Sequence, residues 1–263
     1  MARPIIAFLT DFGTRDHYAG VLKGVVLSLV ADVTLVDLSH DLPAHDVPFA
    51  ALELAATYKY FPPGTIFVVV IDPGVGTARR GIAADIGDYR FVAPDNGVLT
   101  AVFQEAPPKK VVELTERRFA RPTVSRTFEG RDRFAPAAAH IAKGIQLAAL
   151  GRAITDYQML DLPRPKFDGD VLRGVIVRID RFGNVVTNLD RKSCERFTGG
   201  GGVQLTVGGR SIARLVSTYS DIVPGEIGAL FGSTDHLEFA TQAASAWEVL
   251  GVKVGDPVEL RRV

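Results

Sequence analysis

Seven consecutive apolar or β-branched residues, Thr65-Ile-Phe-Val-Val-Val-Ile71, run without a charged interruption and stop at Asp72-Pro73-Gly74. A strand with one solvated face alternates apolar and polar side chains, whereas an unbroken apolar run has to be covered on both faces. The segment therefore predicts a central strand between two layers of helix. Its neighbours agree. Ile5–Thr10 and Val33–Asp37 read as further strands, and His17–Val30 and Val47–Tyr60 as helices, the second stopped by Phe-Pro-Pro-Gly at 61–64. Ile82–Ile86 with Arg90–Val92 predicts a hairpin, and Gly97–Phe103 and Phe134–Lys143 predict two more helices. Alternating strands and helices imply an α/β N-terminal domain with a mostly parallel sheet, over residues 1–165.

After about Leu150 the pattern changes to short strands and tight turns. Pro163, Pro165 and Asp168-Gly169 read as a linker. Val203–Val207, Gly208-Gly209 and Arg210–Leu215 predict a hairpin, since two glycines accept the positive φ of a primed turn. With Val171–Ile179, Ala229–Phe231, Leu237–Phe239 and Pro257–Arg261, residues 170–263 are expected to form an antiparallel β-barrel domain.

Charge narrows the function classes. Thirty basic and thirty acidic residues cancel, so the excess positive charge that phosphate-backbone binding draws on is missing, and nucleic acid is not an expected partner. No apolar run is long enough to span a bilayer. The single cysteine, Cys194, cannot form an internal disulfide. No secretory leader is read at Met1-Ala-Arg-Pro, and a cytoplasmic location is expected. The five histidines form no metal-ligating pattern, no Gly-x-Ser-x-Gly elbow occurs, and His140 reads as a core histidine.

Candidate site residues collect where strands are predicted to end, which is where open α/β sheets bind ligands. Asp11 follows the first strand, where a carboxylate can accept two hydrogen bonds from a ribose diol; Asp16 reads either as a ligand contact or as the cap of the next helix. Asp72 and Arg79 flank the turn Pro-Gly-Val-Gly-Thr-Ala, where they either orient a small polar molecule or close the loop as a structural ion pair. Thr127-Phe-Glu-Gly-Arg-Asp-Arg-Phe-Ala-Pro opens an alanine-rich helix, and Arg131 and Asp132 there can cap and pair. Asp180-Arg-Phe-Gly-Asn184 presents an aromatic ring and an amide suited to a purine, or else a turn between strands.

Taken in order, Leu9-Thr-Asp-Phe-Gly-Thr-Arg-Asp, Ile71-Asp-Pro-Gly-Val-Gly-Thr-Ala-Arg-Arg, Ala93-Pro-Asp-Asn-Gly, the Thr127 segment and Asp180-Arg-Phe-Gly-Asn-Val-Val-Thr-Asn resemble the S-adenosylmethionine (SAM) hydroxide adenosyltransferases, or SAM hydrolases, relatives of the SAM-dependent fluorinase and chlorinase. The resemblance implies an α/β domain joined to a C-terminal barrel, a homotrimer with ligand held between subunits, and SAM as substrate with neither cofactor nor metal. It assigns Asp11 to the ribose hydroxyls and Asp16 to the methionine amino group. Asp180 and Ser233 would help hold the methionine portion, Phe182 and Asn184 the adenine, and Glu238 and Ala240 would face the adenosine. Asp72 and Arg79 match two of the three groups placed around the attacking water. The third position departs: Glu129 stands where the family pattern has histidine, and is expected to serve as a second acceptor oriented by Arg79. Gly130 falls where halogenating relatives line their halide pocket, and an adjacent carboxylate opposes halide. The expected reaction is hydrolysis of SAM to adenosine and methionine; the alternatives are a SAM- or adenosine-binding protein with weakened catalysis, and a SAM-dependent halogenase.

Overall fold

A computed structural model describes residues 3–263, which divide into one compact unit ending at Leu162 and a second running from Pro163 to Val263. The first contains, in chain order, β1 (Ile5–Thr10), α1 (Tyr18–Leu29), β2 (Thr34–Ser39), α2 (Val47–Thr57), β3 (Ile66–Val70), β4 (Gly81–Ile86), β5 (Tyr89–Pro94), α3 (Thr100–Glu105), β6 (Lys110–Leu114), α4 (Ala135–Ala142) and β7 (Gly151–Ala153). The seven strands lie in the order β2-β1-β3-β5-β4-β6-β7. All five residues of β3 are buried, as its unbroken apolar run demands. Phe67 and Val69 face a core with α2 and α3, while Ile66, Val68 and Val70 face a second core with α1 and α4.

The expectation of a mostly parallel sheet is corrected: the sheet is mixed. β2, β1, β3 and β5 run parallel, but β4, β6 and β7 are each antiparallel to their neighbours. The reversal begins at the β4–β5 hairpin, turned through Gly87 at φ +57°, and strands joined by a short turn can only be antiparallel. β6 and β7 were not expected. They are short, of five and three residues, and their pattern is too brief to register as a period. The helix expected over Phe134–Lys143 is preceded by a π-helical turn, Gly130–Phe134, and the helix expected to reach Tyr60 ends at Thr57 in a single 3₁₀ turn.

The second unit contains β8 (Lys166–Asp168), β9 (Val171–Ile179), β10 (Val185–Asp190), α5 (Arg191–Thr198), β11 (Val203–Val207), β12 (Arg210–Ile212), β13 (Gly228–Phe231), β14 (His236–Ala240), α6 (Ala246–Leu250) and β15 (Pro257–Arg262). Its antiparallel strands follow the order β12-β11-β15-β9-β10-β14-β13, and a bridge from Leu215 to Ala229 brings the two ends close to closure. The barrel-like arrangement is as expected, enclosing Leu172, Ile176, Val185, Leu205, Phe239 and Leu260. Two details differ: the expected linker supplies β8, paired to β9, and the Asp180–Asn188 segment is partly strand β10.

Phe67 sits fully buried at the centre of a ring cluster, stacked 5.1 Å from Phe91 and edge-on to Tyr58, Phe61 and Tyr89. Truncating such a side chain removes both its burial and its packing partners. Phe67→Ala is expected to cost about 3–5 kcal/mol, read from urea denaturation of the purified variant.

Candidate functional site

β3 delivers its chain directly into the first polar group. Beyond Ile71, whose carbonyl accepts from Asn96 Nδ2 at 2.8 Å, the backbone folds back in successive tight turns: Val75 N–H bonds to Asp72 O and Thr77 N–H to Gly74 O, both at 3.2 Å. Gly76 adopts φ +80°, and a Cβ there would lie 2.5 Å from the Arg126 carbonyl, so the loop closes only with glycine at this point. The turn returns Arg79 onto Asp72. Its Nε donates to Asp72 Oδ1 at 2.8 Å and its Nη2 to Oδ2, a bidentate pair. The third nitrogen, Nη1, lies 2.7 Å from Glu129 Oε2, so one guanidinium is shared by two carboxylates brought from distant parts of the chain. Side-chain exposures are 6% for Asp72, 10% for Arg79 and 12% for Glu129, which sets this cluster apart from a solvated ion pair.

Burial pushes the Asp72 carboxyl above its ordinary range; Arg79 opposes the shift and the negative charge of Glu129 adds to it. For Arg79, burial works against the charge, but Asp72 and Glu129 together hold it firmly protonated. The loop-closing ion pair contemplated from sequence does form, and Glu129, expected from the resemblance to be oriented by Arg79, is its third member. Glu129 itself is not a free acceptor. Both its oxygens also receive Arg133 Nη1, at 3.2 and 3.3 Å.

Neighbouring charges serve the fold. Asp132 is fully buried and accepts from Arg131 Nε and Nη2 at 2.7 and 2.8 Å and from the Ser125 backbone at 2.7 Å, so the pairing anticipated for Arg131 and Asp132 is what these residues do. Asp95 accepts from Arg80 and from Gln158 N–H, both at 2.8 Å. The Ala93-Pro-Asp-Asn-Gly motif thus anchors the β3 loop through Asn96 and Arg80.

At the end of β1, Asp11 Oδ2 accepts from His45 N–H at 2.8 Å. Asp16 is exposed and does not cap the following helix: α1 starts at Tyr18 with His17 as its flanking residue, and no side chain caps it. Phe12, Tyr18 and Phe128 meet edge to face or tilted, with centroids 5.3–5.8 Å apart, an aromatic cluster beside the Glu129 segment. Sequence reasoning missed these rings because they come from three separate segments with no shared period.

In the second unit, one cavity of about 880 Å³ collects Asp180, Phe182, Asn184, Ser233 and Glu238, five of the six residues singled out there. Asp180 organises the turn: Oδ1 accepts from the N–H groups of Phe182 (2.8 Å) and Asn184 (2.9 Å), and Oδ2 from Asn184 Nδ2 at 2.9 Å. The same hydrogen bonds leave Phe182 78% exposed, its ring presented to the cavity. Glu238, on β14 beside β10, is buried and accepts from the Tyr219 hydroxyl. Burial raises the Glu238 carboxyl, and burial with the nearby Glu238 charge pushes the Tyr219 hydroxyl up to about 12. Tyr219 was not anticipated; it arrives from an irregular loop. Ala240, the sixth residue, does not line the cavity: it is fully buried against Ile222 and Leu230.

Among the described residues no cluster of three or more His, Cys, Asp or Glu side chains could hold a metal ion, and no helix is long and apolar enough to cross a membrane. Residues 6–151 match the family model for the SAM hydroxide adenosyltransferase N-terminal domain, and residues 174–259 match that for its C-terminal domain. The chain is 39% identical to an (R)-S-adenosyl-L-methionine hydrolase of Thermus thermophilus, over 98% of this chain and 99% of that one. It is 32% identical to a fluorinase of an Actinoplanes species, over 96% and 95%. The crystal structure of an uncharacterized conserved protein from Thermotoga maritima superimposes with a TM-score of 0.92 at 35% identity, covering 98% of this chain and all of the other. The protein belongs to the SAM hydroxide adenosyltransferase family.

Proposed function

We propose that the protein hydrolyses SAM at C5′, giving adenosine and L-methionine. The observation that carries this reading is the buried Asp72–Arg79–Glu129 cluster at the carboxyl end of β3. Water attacks C5′ as the C5′–S bond breaks; the bond's electron pair returns to sulfur, converting the sulfonium to the neutral thioether of methionine, and a water proton passes to Asp72. The sulfonium is a good leaving group without metal assistance. What the protein has to supply is an aligned, partly desolvated nucleophile. Asp72, its pKa raised by burial, is a stronger proton acceptor than an ordinary carboxylate, and Arg79 stabilises the developing hydroxide character. Glu129 keeps Arg79 oriented and adds the second negative charge that lifts Asp72.

In this reading Asp11 binds the ribose diol and Asp16 the methionine ammonium. Phe182 stacks on adenine, Asn184 reads its edge, and Asp180, Ser233 and Glu238 complete the cradle. The two sets of contacts come from neighbouring subunits of a homotrimer, and the single cysteine suits a cytoplasmic setting. Hydrolysis is favoured over halogenation because a halide at this position would face Asp72 and Glu129 together.

Incubation with SAM in the presence of chloride is expected to yield adenosine and methionine; 5′-chloro-5′-deoxyadenosine as the product on chromatography would replace this reading with halogenation. Asp72→Asn is expected to lower kcat by about 10²–10⁴-fold, the usual contribution of a general base, with SAM binding retained by calorimetry. The pH profile provides a separate check. Asp72 has to be ionised to accept a proton, so kcat falls as pH drops through its raised pKa. Glu129→Gln removes a charge that raises that pKa, and the acid limb is expected to move to lower pH with a reduced plateau. An unchanged profile in that variant removes Glu129 from the mechanism.

A further inference from the structure

Arg133 has no part in the reaction as described so far, yet its guanidinium is held from two sides. Nη1 donates to both oxygens of Glu129, at 3.2 and 3.3 Å, and Nη2 donates to the carbonyl of Leu114, the last residue of β6, at 2.6 Å. A pair four residues apart on an exposed helix is worth little, because both side chains move freely in water. Here the two side chains are 22% and 12% exposed, and the arginine is tied to the backbone of another element. It cannot follow Glu129 if that carboxylate turns away.

We infer that Arg133 is a positioning residue for the reaction, anchored on Leu114 so that it fixes the Glu129 carboxylate against Arg79. The inference rests on the functional reading above. Its logic is an alternating row of charges, Asp72, Arg79, Glu129 and Arg133, in which each inner member lies between two opposite charges. Asp72 and Glu129 compete for Arg79. With Arg133 in place, Glu129 has a second partner and one orientation, and Arg79 is held where it can serve both Asp72 and the nucleophile. Without Arg133, Glu129 can rotate, and Arg79 loses its second tether. Arg133 touches the reacting atoms only through these intermediaries, so its removal should change turnover more than substrate affinity.

The test is a double-mutant cycle of Arg133→Met with Glu129→Gln, with Arg133→Lys as the conservative variant, following adenosine release from SAM in full-length protein. Arg133→Met is expected to lower kcat about tenfold with KM within about twofold; in the Glu129→Gln background the same change should alter kcat by less than about twofold, the signature of two residues acting as one unit. Arg133→Lys keeps the charge without the planar fork and should fall between. Equal losses in both backgrounds would mark Arg133 as a support of the fold alone and overturn the inference, as would wild-type kcat in Arg133→Met. If the methionine variant fails to fold, as judged by its circular dichroism, the lysine variant decides by the same comparison of backgrounds. A wild-type protein that releases no adenosine overturns the functional reading and this inference with it; an active wild type indifferent to residue 133 overturns the inference alone.

Discussion

A guanidinium that is 90% shielded from water is costly unless opposite charges surround it, and Arg79 has them on two sides. Much of the first unit's local structure can be understood from that requirement. The two turns after β3, the positive φ of Gly76 and the tie from Asn96 to Ile71 together return Arg79 to Asp72 within seven residues. The π-helical turn at Gly130–Phe134 begins immediately after Glu129, the second carboxylate of the cluster. Packing of Gly130 against Val70 and Leu22 leaves little room for a side chain there, which holds this turn close to the end of β3. The hydrophobic core and the polar cluster are therefore coupled: β3 is buried on both faces, and the groups it delivers emerge where water is already scarce.

The second unit solves a different problem. Its cavity presents an exposed aromatic ring, an amide and carboxylates on a barrel-like sheet whose apolar residues lie on the inner face. Asp180 uses both of its oxygens on the turn that carries Phe182 and Asn184, so the backbone of that turn and the Asn184 amide are held in place. The Tyr219 hydroxyl likewise holds the Glu238 carboxylate.

Much of both regions was legible in the sequence. β3 and its neighbours followed from hydrophobic runs and alternation, and the strands of the barrel from short β-branched segments between glycine-rich turns. The motifs named Asp72, Arg79 and Glu129, and in the second unit they named five residues that do share one cavity. The places where expectation failed have physical reasons. β6, β7 and β8 are only five, three and three residues long, too short for an apolar alternation to register. Ala240 shares a strand face with Glu238, but further along that face the covering is Ile222 and Leu230.

The linear chain by itself determined which residue types would stand at the ends of which strands, because side-chain period and chain punctuation are local properties. It also determined that Asp72 and Arg79 would be neighbours, since seven residues around a tight glycine turn leave them little alternative. Only the tertiary structure decided that Glu129, fifty residues beyond Arg79, would occupy the third side of that guanidinium, and that Arg133, tied to Leu114, would leave Glu129 engaged and not free. Contacts between distant segments are set by how the sheet and its covering helices pack, and no local pattern encodes that geometry.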